Sequence, residues 1–122
     1  MSKTILTVDD SRTMRDMLRL ALSDAGHAVI QAEDGVAGTE ALADAPKLDL
    51  IITDINMPRL DGYGFIDAVR RHAVHRAAPI LVLSTESDAA AKQRARDAGA
   101  TGWIVKPFDP ARLLAAVARV AP

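Results

Sequence analysis

Five short apolar runs recur along the chain, TILTV (residues 4–8), AVIQA (28–32), LDLIIT (48–53), PILVLS (79–84) and TGWIV (101–105), each followed by helical spacing. Runs of this length with little polar alternation suit strands covered on both faces. The stretches between them predict helices over residues 11–25, 35–44, 62–72, 88–98 and 109–120. In the first, Met14, Leu18, Ala21 and Leu22 share one face, and Gly26 stands where a closing glycine is expected. Gly99 closes the fourth, and Pro110 occupies a first-turn position of the fifth, where its missing N–H costs nothing. Few topologies accept five such βα units. Parallel neighbours need long crossovers, the helices supply them, and both faces of the sheet end up covered. The expected fold is a doubly wound α/β sandwich of the flavodoxin-like (βα)5 type, its parallel five-stranded sheet in the order 2-1-3-4-5.

The 122 residues, 49% hydrophobic and 25% charged, suffice for one core and one domain over residues 1–122. The chain lacks cysteine, which removes disulfides, thiol chemistry and Cys-based metal sites. A net charge of -1 without a Lys/Arg cluster lacks the footprint of nucleic-acid binding. No apolar run reaches bilayer length and no signal peptide is visible, so a cytoplasmic monomer without membrane or nucleic-acid partners is expected.

In a doubly wound sheet, ligands gather beyond the carboxyl ends of the strands, beside the switch in strand order. The first strand delivers Asp9 and Asp10 there, the third Asp54, the fourth Ser84 and Thr85, and the fifth Lys106 before Pro107. Adjacent carboxylates repel by about 4 kcal/mol at 4 Å and an effective dielectric near 20. Something positive must sit between them. One divalent cation and one ammonium neutralise three carboxylates, and ligation by oxygen alone, with no nearby His or Cys, favours Mg2+ over zinc. A cation beside a free carboxylate suits phosphoryl transfer, with the carboxylate as nucleophile. Asp54 stands alone on the middle strand and is the better nucleophile, while Asp9 and Asp10 hold the metal. A phosphoryl group of about -2 would need further donors, for which the Ser84 hydroxyl and the backbone N–H groups of Met57 and Thr85 are candidates.

VDDS, TDINMPRLDG, LST and KPF, in this order on successive strand ends, closely resemble the receiver domain of two-component response regulators. The resemblance spans essentially the whole chain, and its four motifs together are specific where each alone is not. It implies that Asp9, Asp10, Asp54 and the Asn56 backbone carbonyl surround the metal, and that Asp54 accepts phosphate from a histidine kinase. It further implies that Lys106 pairs with the phosphoryl group and that the Lys106–Pro107 bond is cis. Ser84 and an aromatic on the fifth strand form the family's switch, and here that aromatic is Trp103 rather than the usual Tyr or Phe. Such a protein is not an enzyme beyond its own phosphotransfer and dephosphorylation. The family's usual docking face, the fourth helix, fifth strand and fifth helix, would carry Lys92, Arg94, Arg96, Trp103, Arg112, Ala115, Ala116 and Arg119. Asn56 and Glu86 match the polar pair of chemotaxis-type receivers. That implies a chemotaxis kinase upstream and the flagellar motor switch as target, with a phosphate sink or an adaptor in another pathway as alternatives.

Blander readings use the same residues. Asp9 or Asp10 could simply cap the helix that follows, Asp54 could open a turn, Lys106 could be solvated, and Ser84 could end its strand. His27, His72 and His75 lack ligand spacing and read as surface residues. An FMN protein of the same fold would want a hydroxyl- and glycine-rich loop where Asp9 and Asp10 would repel its phosphate. A haloacid-dehalogenase-type phosphatase would carry a DxD motif on its first strand. A metal-free interaction domain would leave the acid cluster unexplained.

Overall fold

The computed structural model describes residues 2–122. Its elements are β1 (Thr4–Val8), α1 (Arg12–Asp24), β2 (Ala28–Ala32), α2 (Gly35–Asp44), β3 (Leu50–Thr53), α3 (Gly62–Arg71), β4 (Ile80–Ser84), α4 (Ala89–Ala98), β5 (Gly102–Val105) and α5 (Pro110–Val120). All strand pairs are parallel and the order is β2-β1-β3-β4-β5, as the alternation predicts. The first two strands coincide with their apolar runs, and the last three are shorter than theirs. Leu48, Pro79 and Thr101 fall outside the ladders, although Leu48 is buried: apolarity reports burial, and burial does not require a ladder partner.

A short side chain caps each helix where it leaves the sheet edge. Ser11, Asp34, Asp61, Asp88 and Asp109 accept hydrogen bonds from the N–H groups of Met14, Ala37, Gly64, Ala91 and Arg112. At the far end α4 stops at Gly99, whose φ of 118° is a left-handed value that a side chain would resist. The sheet separates two cores. Leu6, Val8, Ile51 and Val82 pack under α2, α3 and α4 with Phe65, Ile66 and Ala95, while Ile5, Ile52 and Leu83 pack under α1 and α5 with Leu18, Leu22, Leu113 and Val117.

Two placements correct the sequence reading. His75 is 2% exposed rather than on the surface: its Nε2 lies 3.0 Å from the Leu42 carbonyl and its ring stacks on half-buried His72. Ala116 is likewise buried, because α5 turns positions 113, 116 and 117 inward.

Polar stitching across this layer centres on Arg70. Its guanidinium donates to the Gly99 carbonyl from Nε and Nη2 (3.1 and 2.6 Å) and, from Nη1, to the carbonyls of Ala78 and Arg76 (2.7 and 2.9 Å). It thus ties α3 to the end of α4 and to the approach of β4. Removing it strands two carbonyls in partly buried positions. Arg70→Met is expected to lower unfolding stability by about 2 kcal/mol, with Arg70→Lys intermediate because ammonium cannot span all three acceptors; urea denaturation reads the difference, and equal midpoints would deny the role.

Candidate functional site

Register builds the site. Val8 pairs with Thr53 and with Ala32, and Ser84 with Val105, so the next residue of each chain segment emerges at the same edge. The ladder continues one step further through Asp9 N–H to Ala32, Asp54 N–H to Val8 and Lys106 N–H to Ser84 (3.1, 2.9 and 2.8 Å). Side chains alternate along strands. The Lys106 ammonium stands 2.8 Å from Asp9 Oδ2 and 2.9 Å from Asp54 Oδ2, and its side chain is only 10% exposed. Lys106 is therefore not a solvated lysine.

Asp9 is 1% and Asp54 7% exposed, while Asp10 opens to solvent. One oxygen from each of the three lies within 4.8 Å of the others. Three carboxylates and one ammonium leave a charge of about -2 in the crevice, the complement of one divalent cation. Burial pushes the Asp9 carboxyl above its ordinary pKa, against the opposing pull of Lys106 and the Ser11 N–H. Burial alone would lower the pKa of Lys106, but the close approach of the Asp9 and Asp54 carboxylates outweighs it and holds the amine cationic. Lys106 approaches Asp9 Oδ2 closely but off the hydrogen-bond direction, so this buried oxygen has charge beside it and no aligned donor. Oxygen ligands alone, one of them without an aligned donor, fit a hard divalent cation.

The capping alternative fails on geometry. Ser11 caps α1, and Asp9 instead accepts the Ser11 N–H through Oδ1 at 2.9 Å. Arg15, which the sequence reading passed over, donates to the Asp9 carbonyl at 2.7 Å and braces the loop. Asp54 Oδ1 accepts the Ile55 N–H at 2.7 Å, leaving Oδ2 toward Lys106.

At the mouth of the site Glu86 joins three parts. Its carboxylate accepts from Asn56 Nδ2 at 3.0 Å, its N–H donates to Ser84 Oγ at 3.2 Å, and its carbonyl accepts from Trp103 Nε1 at 2.9 Å. Ser84 is fully buried, Thr85 beside it is exposed, and half-buried Met57 packs against the core under α3. Trp103 lies on the α4 side of the sheet, opposite the carboxylates, as its three-residue offset from Lys106 predicts. The indole bond to Glu86 had no signal in the sequence, since a backbone carbonyl carries no residue type. On the outer side of β5, Trp103, Val105, Arg112, Ala115 and Arg119 line a groove of about 490 Å³, with Ala116 in its wall; Lys92 and Arg96 flank Trp103 on the α4 side. The Lys106–Pro107 bond is cis.

Comparison with known proteins places these features. The chemotaxis protein CheY1 of Helicobacter pylori is 38% identical over 87% of this chain and 86% of that protein. The structure of the Vibrio cholerae chemotaxis protein CheY4 superposes with a TM-score of 0.93 at 42% identity, covering 98% of this chain and 99% of that one. The receiver domain of the sensor histidine kinase PA1611 from Pseudomonas aeruginosa, described with a magnesium ion coordinated in the active-site cleft, has a TM-score of 0.89 at 26% identity, covering 99% and 98%. The family model for the response regulator receiver domain matches residues 5–118. That match runs from the second residue of β1 into the last turns of α5, and the chain belongs to the response regulator receiver family.

Proposed function

We propose that the protein is a phosphorylation-activated response regulator of chemotaxis, in which Asp54 accepts a phosphoryl group from the phosphohistidine of a kinase. The observation that carries this is the single ammonium of Lys106 between Asp9 and Asp54, a cation already placed where charge would develop. A carboxylate oxygen of Asp54 attacks phosphorus as the P–N bond breaks; the electron pair leaves with the imidazole, which takes up a proton, and an acyl phosphate remains. Asp9, Asp10, Asp54 and the Asn56 carbonyl would hold Mg2+, which when bound supplies positive charge to the phosphoryl oxygens. Lys106 pairs with a phosphoryl oxygen, and the Ser84 hydroxyl and the N–H groups of Met57 and Thr85 donate to the others. The protein then acts as a switch rather than as an enzyme on other substrates.

Output follows the same contacts outward. The Ser84 hydroxyl that turns to the phosphoryl group is the one that receives the Glu86 N–H, so its movement loosens the loop to which Trp103 is bonded. A phosphoryl group biases two states by its differential affinity for them. The groove beside Trp103, with Arg112 and Arg119 along it, is the surface we assign to the partner, a flagellar motor switch protein. The names of the chemotaxis relatives and the Asn56–Glu86 pair support this output over a phosphate sink or an adaptor; retention of a motor switch protein only in the phosphorylated state would separate them.

Asp54→Asn is expected to abolish labelling by acetyl phosphate and magnesium, read as gain of one phosphoryl group by mass spectrometry, because an amide cannot form the acyl phosphate. Undiminished labelling would place the acceptor elsewhere. Asp9→Asn removes a carboxylate whose ionised form is disfavoured by burial, so in EDTA its Tm is expected to rise by a few degrees; added magnesium should reverse the order by stabilising only the native protein. If the variant gains as much from magnesium as the native chain, Asp9 is not a ligand. Finally, acetyl phosphate should change the emission of Trp103, the chain's single tryptophan, and Ser84→Ala should reduce that change by about threefold or more, as expected for one lost hydrogen bond. An identical response in Ser84→Ala would route the signal away from Ser84.

A further inference from the structure

The loop between β3 and α3 carries Asn56 and Met57, and its conformation is not one the chain adopts freely. Arg59 has a φ of 68°, the one positive value at a non-glycine among the described residues. The Leu60 N–H donates to the Pro58 carbonyl at 2.8 Å, so Arg59 is the middle residue of a three-residue turn with positive φ, the rarer and strained kind. Turns of this sort persist where the surroundings hold them. Here the hold comes from 25 residues back in the sequence. Arg59 Nε lies 2.7 Å from Asp34 Oδ2 and Nη2 lies 3.0 Å from Oδ1, a fork on both carboxylate oxygens. Asp34 is 5% exposed, closed off by the loop it binds, and the same carboxylate caps α2 through the Ala37 N–H at 2.8 Å. Arg59 and then the Ala37 N–H hold its pKa below the usual carboxylate value.

Close packing makes the clamp rigid. A Cβ at Gly35, the first residue of α2, would collide with the Leu60 carbonyl, and one at Gly62 would collide with the carbonyl of Asp54. The loop is therefore pressed against α2 at one end and against the acceptor residue at the other. We propose that Arg59 is a positioning residue: by gripping Asp34 it fixes residues 55–60 in the one arrangement that presents the Asn56 carbonyl and the Met57 N–H to the carboxylate site. This rests on the reading of Asn56 as a cation ligand given above. Arg59 itself touches neither cation nor phosphoryl group, and it acts through the backbone two and three residues before it. Lysine could keep the charge but not the fork, and it would not resist rotation of the turn as well.

The test uses magnesium chloride titrated against the native protein, Arg59→Ala and Arg59→Lys, followed by Trp103 emission, with hydrogen exchange of the residue 55–60 amides measured separately in EDTA. Arg59→Ala should weaken magnesium binding by about tenfold, the scale on which partners behind a metal ligand act, and should speed exchange in this loop while leaving the global Tm near native. Arg59→Lys should recover part of both. Native-like affinity together with native-like exchange in Arg59→Ala overturns the proposal, as does a fall in Tm with unchanged affinity. If the native protein itself binds no magnesium, the cation reading fails, and exchange alone decides the clamp: faster exchange in Arg59→Ala supports it and unchanged exchange overturns it.

Discussion

One ammonium shared by two buried carboxylates organises this molecule. Asp9 and Asp54 leave neighbouring strands at the same level, and two carboxylates so close in so dry a crevice repel each other unless a cation stands between them. Lys106 follows the edge strand β5, two places from β3 and three from β1 in the order, so its reach spans the edge over β3 and β4. The compensation is incomplete. A residual charge of about -2 remains, and a site left electrostatically unfinished in this way is poised to respond to what enters it.

The sheet keeps the carboxylate cluster and the indole apart. Carboxylates and lysine lie on the side of α1 and α5, Trp103 on the side of α4, and no side chain passes through the layer between. Glu86 goes around the edge instead, offering its N–H, its carbonyl and its carboxylate to three different elements. Tryptophan at position 103 suits this arrangement because its ring bears a donor at the rim, which phenylalanine lacks and which tyrosine would place further from the ring. The aromatic is thereby tied to the loop directly and need not sense it by packing alone.

Much of this was legible before any coordinates. Alternating apolar runs and helical stretches dictated the parallel sheet, and reading what four of the runs deliver at their carboxyl ends assembled Asp9, Asp10, Asp54, Ser84 and Lys106 in one place. What escaped has common causes. The Trp103 bond ends on a backbone carbonyl, and the Arg59 fork joins residues 25 apart that only topology brings together. His75 read as polar and exposed because nothing local announces that the Leu42 carbonyl waits beside it. Ala116 is buried in the groove wall, which the sequence did not announce because alanine carries no apolar signal strong enough to fix the phase of a helix.

The caps at the helix starts have a consequence of their own. Every helix begins at the edge where the charged residues gather, and each is capped there by a single short side chain. Rearranging a loop at that edge therefore exchanges one cap, on the order of 1 kcal/mol, and leaves the helix behind it wound. Asp34 is the exception, because the same carboxylate caps α2 and holds the Arg59 fork. At the far edge of the sheet the chain turns back through Gly99, and there one guanidinium, that of Arg70, holds several carbonyls at once, so no single contact can be exchanged without the others.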